Sequence, residues 1–260
     1  MTDSFQNDNS DTKLSLNTIY NMDCIEGMKQ IPDKSIDMIL CDLPYGTTAC
    51  KWDVIIPFEP LWEQYKRIIK DNGAIVLTAS QPFTSALVMS NPKMFKYEWI
   101  WEKTIPSGMF SAKYQPMKKH ENILVFGNKK VKFNPIKEKR SENTHATGKG
   151  GLYKSTSEHT KEFESIRKET KGTERNPTTV LNIPNVSRHQ SLHPTQKPVA
   201  LFEYLIKTYT NEWDLVLDNC AGSWTTAIAC LNTNRNYIWF ELDEWYRNIA
   251  NKRIQDRLSE

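Results

Sequence analysis

The strongest constraint on the fold comes from a short apolar run that ends in a polar hexapeptide. Residues 36–40 (IDMIL) have the length and composition of a buried β-strand. Residues 41–46 (CDLPYG) place an acid, a proline turn and an aromatic ring at the carboxyl end of that strand. Ligands bind at this end of the strands in open α/β sheets. A carboxylate accepts a hydrogen bond from an amino group and an aromatic ring stacks on a flat base, so the hexapeptide suits a base that carries an amino group.

Apolar runs and segments with helical periodicity alternate along the chain, which predicts an α/β fold with a mostly parallel sheet and an antiparallel edge. We expect the second helix to end at the 71–73 (DNG) signal, and we expect one of Trp99 and Trp101 to face outward. The predicted strands cover residues 16–20, 36–41, 74–78, 96–101, 121–126, 215–218 and 236–241, and the predicted helices cover 25–30, 60–70, 81–90, 198–209, 225–231 and 244–258.

The composition changes between residues 128 and 192, which carry 14 Lys and Arg, 7 Glu and no Asp in a chain of net charge +3. This segment is interpreted either as a solvated, partly disordered insertion or as an arm that lies on the phosphates of a nucleic acid. We predict that the insertion at 128–192 separates two halves of one domain, at 14–127 and 193–260. Residues 1–13 are polar, which predicts a disordered tail.

The cysteines and the amino terminus argue against several classes of protein. The five cysteines form no C-x-x-C pair and their number is odd, so the sequence predicts neither a disulfide framework nor a metal site, and a reducing cytoplasm fits best. The first residues contain no apolar signal region. No stretch approaches the roughly 20 apolar residues of a membrane span.

A second group of acidic residues ends two strands near the carboxyl terminus. Asp218 begins the small-residue turn 218–223 (DNCAGS), and Glu241 ends the following strand 23 residues later. Such a turn lets a ligand approach the backbone and the amino end of a helix. A carboxylate about 20 residues further on typically binds ribose hydroxyls. The turn alone indicates only a strand-to-helix connection, but together with the second acid it predicts a nucleotide site.

Three motifs together resemble those of the amino-group DNA methyltransferases. Residues 42–45 (DLPY) resemble their catalytic tetrapeptide, and residues 218–223 resemble their S-adenosylmethionine loop. Residues 193–198 (HPTQKP) resemble the segment that closes over the methionine end of the cofactor. The catalytic motif comes first, then the basic insertion, then the cofactor motif, which is the circularly permuted order of the family's beta group. The resemblance implies a Rossmann-like S-adenosylmethionine-dependent methyltransferase fold over residues 16–258.

The resemblance also implies roles for single residues. Asp42 and the backbone carbonyl of Leu43 would accept hydrogen bonds from the target amino group. Pro44 would fix the turn, and Tyr45 would stack on a base flipped out of the helix. S-adenosylmethionine carries an activated methyl group, so no metal or covalent intermediate is required. The residues implied in cofactor binding are Asp23, Cys24, Lys197, Asp218, Cys220, Ala221, Gly222, Ser223, Glu241 and Asp243.

Three tryptophans depart from the family pattern. Trp224 stands where the cofactor loop usually has a glycine, and Trp213 and Trp239 occupy positions that are often glycine in relatives. Glycine allows unusual dihedral angles and a close approach of the backbone to a ligand. We therefore predict that Trp224 weakens the affinity for the cofactor.

The aspartate at the head of the tetrapeptide favours N6 of adenine as the methylated atom, with N4 of cytosine as the alternative. Two further alternatives stay open: a DNA-binding relative that no longer turns over, and methylation of RNA or of a protein side chain. The implied partners are double-stranded DNA and a cognate restriction endonuclease, in the cytoplasm of a bacterial or phage-infected cell. The family contains both monomers and homodimers.

Overall fold

The chain forms two compact units, Met1–Asn134 with Thr179–Glu260 and Pro135–Thr178. The computed structural model describes residues 14–48, 50, 53–139, 151–154, 164–167, 173–186, 196–222 and 224–258. The tail predicted at 1–13, the motif residues 193–195 and the predicted cofactor residue Ser223 lie outside the described residues.

Strands and helices alternate through most of the first unit. The strands are β1 (Thr18–Asn21), β2 (Ile36–Cys41), β3 (Ile69–Ala79), β4 (Phe95–Ser107), β5 (Lys118–Phe126), β6 (Glu138–Lys139), β7 (Gly151–Lys154), β8 (Glu164–Arg167), β9 (Glu174–Arg175), β10 (Val180–Asn182), β11 (Leu215–Asp218) and β12 (Asn236–Glu241). The α-helices are α1 (Cys24–Lys29), α2 (Phe58–Ile68), α3 (Phe83–Ser90), α4 (Val199–Tyr209), α5 (Thr225–Asn232) and α6 (Glu244–Leu258), and a 3₁₀ turn covers Met109–Ser111.

The first unit is built on one eight-stranded sheet in the order β1-β12-β11-β2-β3-β5-β4-β10. Neighbouring strands pair in parallel except at β5, which runs antiparallel to both β3 and β4. All strands but β5 therefore point the same way, and their carboxyl ends lie along one side of the sheet, here called the carboxyl edge. This topology confirms the predicted α/β class with a mixed, mostly parallel sheet.

Helices cover both faces of the sheet because the central strands are apolar on both faces. In β2, Met38 and Leu40 belong to the core on one face, and Ile39 and Cys41 belong to the core on the other. The first core is completed by α4, α5 and α6, and the second by α1, α2 and α3. The result is a three-layer arrangement that leaves the carboxyl edge free for a site.

The boundary between α2 and β3 differs from the prediction. Helix α2 ends at Ile68, the last residue of its buried face, and Ile69 already has an extended backbone. The register between β2 and β3 shifts opposite Asp37, and the 71–73 segment lies in this bulge. A bulge takes the same turn-forming residues as a helix end. The predicted stop signal is therefore part of a strand, and α2 ends two residues earlier than predicted.

Both Trp99 and Trp101 are buried, so the expectation that one of them faces outward is wrong. Residues two apart on a strand point to the same side of the sheet. The Trp99 indole donates a hydrogen bond to the Tyr209 hydroxyl of α4 at 2.6 Å. The Trp101 indole donates to the Ile183 carbonyl at 2.8 Å. Both indoles therefore form part of the core beneath α4.

The second unit contains two short antiparallel pairs, β6 with β9 and β7 with β8. Arg175 pairs with Glu138 across the first of them, at 3.0 Å. The prediction that the basic insertion at 128–192 recognises DNA stays a prediction. None of the helices described above combines the length and the apolar composition needed to cross a membrane.

Candidate active site

Four of the predicted site residues come at the ends of four adjacent strands. Asp23 follows β1, Glu241 ends β12, Asp218 ends β11 and Asp42 follows β2. These strands are consecutive neighbours in the sheet, about 4.8 Å apart. The tetrapeptide near the amino terminus and the turn near the carboxyl terminus therefore lie side by side at the carboxyl edge.

The Asp42 carboxylate joins side chains from three parts of the chain. Its Oδ1 atom accepts hydrogen bonds from the Tyr45 hydroxyl at 2.8 Å and from the Thr78 hydroxyl at the end of β3. Its Oδ2 atom lies 2.7 Å from the Lys197 ammonium. An ionised carboxylate offers about four acceptor positions. Three donors therefore fix the carboxylate, and among the described residues they leave one acceptor position for a ligand.

The Lys197 ammonium is almost fully buried and faces two carboxylates. Besides Asp42, it lies 3.3 Å from Oε2 of Glu121 on β5, and Oε1 of Glu121 lies 3.0 Å from the Lys103 ammonium on β4. Burial by itself lowers the pKa of Lys197, but the charges of Asp42 and Glu121 and the hydrogen bond to Asp42 together outweigh it and hold this pKa well above its usual value. Burial likewise works to raise the pKa of Glu121, and the two lysines outweigh it and lower this pKa. Lys197 and Glu121 are therefore both charged at neutral pH.

The Tyr45 ring is half-buried beside Asp42. It stacks on Phe83 with ring centroids 5.2 Å apart and an interplanar angle of 24°. The Lys197 ammonium lies over the ring, 5.6 Å from its centroid. Burial, and then the Asp42 charge, raise the pKa of Tyr45 well above its usual value, so the hydroxyl keeps its proton and donates it to Asp42. The predicted stacking of this ring on a base stays a prediction.

The loop around the tetrapeptide is held from both ends. The Leu43 side chain is buried in the core on the α1–α3 face, and Pro44 is half-buried beside it. After Tyr45, the Asp53 carboxylate accepts hydrogen bonds from the backbone N–H groups of residues 46–48 at 2.7–2.8 Å. Burial works to raise the pKa of Asp53, but a hydrogen bond with the Thr48 side chain and these backbone bonds together outweigh it and lower this pKa. The Leu43 carbonyl and the Tyr45 ring are thus held on one anchored turn.

Asp218 organises the turn that follows β11. Its Oδ1 atom accepts the Cys220 N–H at 3.0 Å, and its Oδ2 atom accepts the Thr226 hydroxyl at 2.5 Å. Burial raises the pKa of Asp218 to about 7, although these hydrogen bonds oppose the shift. The carboxyl therefore titrates near neutral pH, and its predicted contact with the amino acid end of the cofactor stays a prediction.

The turn after β11 is tied to the end of β12. The Ala221 N–H donates to the Phe240 carbonyl at 3.0 Å, and the Gly222 N–H donates to Oε2 of Glu241 at 2.9 Å. Gly222 has a φ of +34°, which a residue with a side chain rarely adopts. Oε1 of Glu241 accepts the Asp243 N–H at 2.8 Å. Glu241 therefore links the ends of β11 and β12, and its predicted contact with a ribose stays a prediction.

Two other predicted cofactor residues cap helices. Oδ1 of Asp23 accepts the N–H groups of residues 25 and 26 at 2.9 and 3.1 Å at the start of α1. Oδ1 of Asp243 accepts the N–H groups of residues 245 and 246 at 2.8 and 3.3 Å at the start of α6. Each carboxylate keeps a second oxygen beyond these capping bonds. The prediction that they bind cofactor is compatible with this geometry and is not tested by it.

A buried polar layer lies beneath the turn. The Tyr65 hydroxyl of α2 donates to Oδ1 of Asn219 at 2.5 Å. A hydrogen bond with Cys220, and then burial, raise the pKa of Cys24 far above its usual value. The hydrogen bond with Cys24 works to lower the pKa of Cys220, but a hydrogen bond with Cys41 and burial outweigh it and raise this pKa well above its usual value. Both thiols are therefore protonated, and they support the turn as small packing groups.

Trp224 follows the turn with a φ of +59°, in the left-handed region. Its indole is completely buried, donates to the Tyr246 carbonyl at 3.1 Å and lies 5.2 Å from the Arg253 guanidinium. Trp213 is also left-handed, with a φ of +68°, but its side chain is 70% exposed. Trp239 is buried within β12. The indole of Trp224 packs against α6, and the predicted loss of cofactor affinity stays a prediction.

Four polar residues of the site escaped the sequence interpretation: Thr78, Lys103, Glu121 and Asp53. The position of Thr78 could have been found from the sheet. Leu77 pairs with Cys41, so the residues that follow them, Thr78 and Asp42, reach the carboxyl edge side by side. Lys103 and Glu121 are placed by pairing across the β4–β5 hairpin and by the contact of Glu121 with the distant Lys197, whereas Asp53 is placed by the fold of its own loop. No local pattern in the sequence distinguishes them from surface charges.

Comparison with known proteins identifies the family. Residues 36–252 match the model of the N6/N4 methyltransferase family, described as DNA methylase. Type II methyltransferase M.HpaI of Haemophilus parainfluenzae is 27% identical over 259 residues, which cover 90% of this chain and 73% of that protein. Type II methyltransferase M1.MboII of Moraxella bovis is 28% identical over 269 residues, which cover 92% of this chain and 96% of that protein.

Solved structures agree with this assignment. The crystal structure of the M1.HpyAVI-SAM complex has a TM-score of 0.60 and 25% identity, covering 90% of this chain and 98% of that chain. The PvuII DNA methyltransferase, described as cytosine-N4-specific, has a TM-score of 0.63 and 16% identity, covering 91% of this chain and 86% of that chain, and this likeness concerns the fold alone. The predicted methyltransferase fold is thereby confirmed, and the chain belongs to the N6/N4 DNA methylase family.

Proposed function

We propose that this chain transfers a methyl group from S-adenosylmethionine to N6 of an adenine flipped out of double-stranded DNA. One observation carries the proposal: the Asp42 carboxylate is fixed beside an aromatic ring, and donors among the described residues fill three of its about four acceptor positions. An adenine amino group needs such an acceptor, and its ring needs such a surface for stacking. Relatives support the choice of base, since the DNA adenine methyltransferase YhdJ of Escherichia coli (strain K12) is 26% identical over 91% of this chain.

The chain's own residues would position the amino nitrogen and remove its proton. Asp42 and the Leu43 carbonyl would accept the two N–H groups, which turns the nitrogen lone pair away from the adenine ring. Tyr45 would hold the base by stacking. The Asp42 carboxylate, held by the Lys197 ammonium at 2.7 Å, would serve first as a hydrogen-bond acceptor and would take the proton only after methyl transfer has made the nitrogen positively charged. S-adenosylmethionine supplies the methyl group on a sulfonium when bound.

The carboxyl edge fits that cofactor. Asp23, Glu241 and Asp218 end three adjacent strands, which span roughly 10 Å at 4.8 Å a strand. The turn at 219–222 (NCAG) consists of small and medium-sized residues and contains the left-handed Gly222. In this proposal Glu241 binds the ribose and Asp218 the amino acid end. The rest of the proposed cofactor site is lined by Asp23, Cys24, Cys220, Ala221, Asp243 and Lys197.

Two other functions compete with this proposal. N4 methylation of cytosine uses the same geometry, because cytosine also presents an amino group to the acceptor. A DNA-binding protein without turnover is favoured by Trp224, whose left-handed backbone stands at a glycine position of the cofactor loop. The wider proposal includes a cognate restriction endonuclease, a cytoplasmic site of action and a monomer or homodimer, as expected for relatives described as type II methyltransferases.

The decisive experiment identifies the product. The protein is incubated with unmethylated DNA and S-adenosylmethionine labelled in the methyl group, and the digested nucleosides are separated. Label in N6-methyladenine supports the proposal, label in N4-methylcytosine replaces it by the alternative, and DNA binding without label supports the inactive scaffold. Asp42→Asn should abolish transfer and leave cofactor binding within about twofold. Glu59→Gln, an exposed carboxylate at the start of α2, serves as the matched control and should retain full activity.

A further inference from the structure

The hairpin formed by β4 and β5 extends beyond the carboxyl edge. The end of β3 at Ala79 pairs with Asn122, and Asn122 pairs in turn with Ile100 of β4. β4 continues to Ser107, seven residues past this level. At about 3.3 Å per residue, the hairpin therefore reaches roughly 20 Å past the end of β3. Any duplex that delivers a base to Asp42 must approach this edge.

The base of the hairpin is part of the active site. Lys103 on β4 pairs with Glu121 on β5 at 3.0 Å, and Glu121 lies 3.3 Å from the Lys197 ammonium, which holds Asp42. These side chains are buried or nearly so. A continuous chain of ion pairs therefore fixes the direction of the hairpin relative to the catalytic carboxylate.

The far end of the hairpin exposes large apolar side chains. We call residues 105–117 the hairpin tip. Phe110 is fully exposed in the 3₁₀ turn, and Tyr114 is 88% exposed. Ile105, Met109 and Met117 are also exposed. Soluble proteins rarely expose such clusters unless they bind something.

The charge of the hairpin tip indicates what it binds. The sequence from residue 103 to residue 120 contains no aspartate or glutamate and contains Lys103, Lys113, Lys118 and Lys119. Lys119 pairs with Glu102 on the neighbouring strand at 2.9 Å, whereas Lys113 and Lys118 flank the exposed rings. An apolar tip between lysines complements a partner that has anionic groups on its surface and apolar faces between them. Stacked bases between phosphates have this chemistry.

We propose that the hairpin tip enters the duplex and that Phe110 occupies the gap left by the flipped base. This inference rests on the proposed function, because it concerns the same site. Base flipping costs stacking and pairing energy, and an inserted apolar side chain offsets part of that cost. Phe110 suits the role better than Tyr114, since the phenylalanine ring has no hydroxyl that must find a partner inside the stack.

The test compares two duplexes that contain the site methylated by the unmodified enzyme. In one, the target base is paired normally, and in the other it lies opposite an abasic position, so that no pairing has to be broken. Phe110→Ala should lower kcat/KM on the paired duplex by roughly 10–100-fold, the scale of one lost stacking contact. On the abasic duplex the loss should shrink to within about threefold. Met89→Ala, which truncates an exposed methionine near the end of α3, should leave both values unchanged.

A fluorescent base provides a second readout. With 2-aminopurine at the target position, the unmodified enzyme should increase the fluorescence on binding, and Phe110→Ala should reduce this increase without changing the affinity for S-adenosylmethionine. Equal losses on both duplexes, or no loss on either, would overturn the inference while the proposed function stands. Binding to phosphatidylglycerol vesicles that requires Phe110, with methylation unchanged, would overturn it in favour of a membrane surface. An unmodified enzyme that methylates no DNA would overturn both.

Discussion

The Lys197 ammonium lies 2.7 Å from the Asp42 carboxylate, although 155 residues separate the two positions. Asp42 belongs to the tetrapeptide after β2, and Lys197 lies just before α4, in the segment that begins the second half of the chain. The two halves of the permuted sequence are therefore joined at the carboxyl edge by the ion pairs of Lys197 with Asp42 and with Glu121. The pair with Asp42 fixes the carboxylate that the proposed reaction needs.

Replacing this lysine should affect both stability and catalysis. Lys197→Met leaves Asp42 without its cation, and the loss of one partner of a buried pair typically costs about 3–5 kcal/mol. We expect the free energy of unfolding to fall by about 3 kcal/mol in urea titrations, because Asp42 keeps some contact with water, and we expect kcat to fall at least tenfold. Lys132→Met breaks the ion pair of Lys132 with Asp214 on the same unit and should leave kcat unchanged. An active Lys197→Met enzyme would show that the pair serves the fold alone.

Tyr45 should act through its ring more than through its hydroxyl. Tyr45→Phe keeps the stack with Phe83 and removes one donor from Asp42, so kcat/KM should change less than tenfold. Tyr45→Ala removes the stacking surface, and kcat/KM should fall by roughly 10–100-fold. Steady-state kinetics on DNA distinguish the two variants. Equal effects of both substitutions would contradict a stacking role.

Cofactor affinity should depend on pH through Asp218. Its pKa of about 7 means that the carboxyl gains a proton as the pH falls through neutrality. A protonated carboxyl accepts hydrogen bonds poorly, so the dissociation constant for S-adenosylmethionine should rise about tenfold per pH unit below 7. Asp218→Asn should bind weakly and lose this dependence. The cofactor's own titration is the same for both proteins and drops out of the comparison.

The same pKa predicts a pH dependence of stability with the opposite sense. The folded-state pKa of Asp218 lies above its unfolded value of about 3.9. The folded state therefore binds more protons between these values, and this residue's contribution to the free energy of unfolding falls as the pH rises from about 4 to 7. Urea titrations at pH 5 and pH 8 should show a smaller difference for Asp218→Asn than for the unmodified chain. A larger difference for the variant would contradict the raised pKa.

Replacing Trp213 by glycine should make the protein more stable. A left-handed residue with a Cβ atom costs about 1–2 kcal/mol, and the exposed indole of Trp213 loses few contacts when it is removed. Trp213→Gly should raise the free energy of unfolding by about 1 kcal/mol. Trp213→Ala keeps the Cβ atom and is the matched control, because it should bring no gain. An equal increase in the free energy of unfolding for Trp213→Ala would mean that the indole side chain, and not the left-handed backbone, destabilises the protein.

Trp224 should separate stability from cofactor binding. Its buried indole fills space beside α6, so Trp224→Gly leaves a cavity that costs about 3–5 kcal/mol, less the relief of its left-handed backbone. The cofactor turn nevertheless gains the freedom of a glycine, and the dissociation constant for S-adenosylmethionine should decrease. Calorimetric titration of both proteins decides the point. Equal affinities would refute the prediction that Trp224 weakens binding.

Most of the sheet could be predicted because its strands are continuous apolar runs whose length and flanking signals are local. β11, β12 and α6 have the predicted bounds, and the acids that follow the parallel strands meet at one edge as the topology requires. The predicted end of α2 was wrong because turn-forming residues suit a bulge as well as a helix end. Trp99 and Trp101 were misplaced because the two-residue period of a strand sends both to one face.

The connections within the site could be predicted only in part. The adjacency of the two motifs follows from a resemblance and a strand order. The ion pairs of Lys197 and Glu121 depend on which segments cross in space, and a lysine in a loop carries no signal of its buried partner. Thr78 is intermediate between the two motifs and the ion pairs. Its place beside Asp42 at the carboxyl edge follows from the pairing of β2 with β3 alone.

The left-handed backbones of Trp213 and Trp224 have a consequence for the gene. The chain has 8 tryptophans and only 10 glycines, and two of those tryptophans occupy turns shaped for glycine. One glycine codon, GGG, differs from the tryptophan codon UGG at a single base. The triplet UGA is read as a stop signal, as tryptophan or as glycine, depending on the genetic code of the cell. The codons at these two positions therefore matter for expression. Together with the host that translates them, they determine whether the protein carries tryptophan or glycine in these turns.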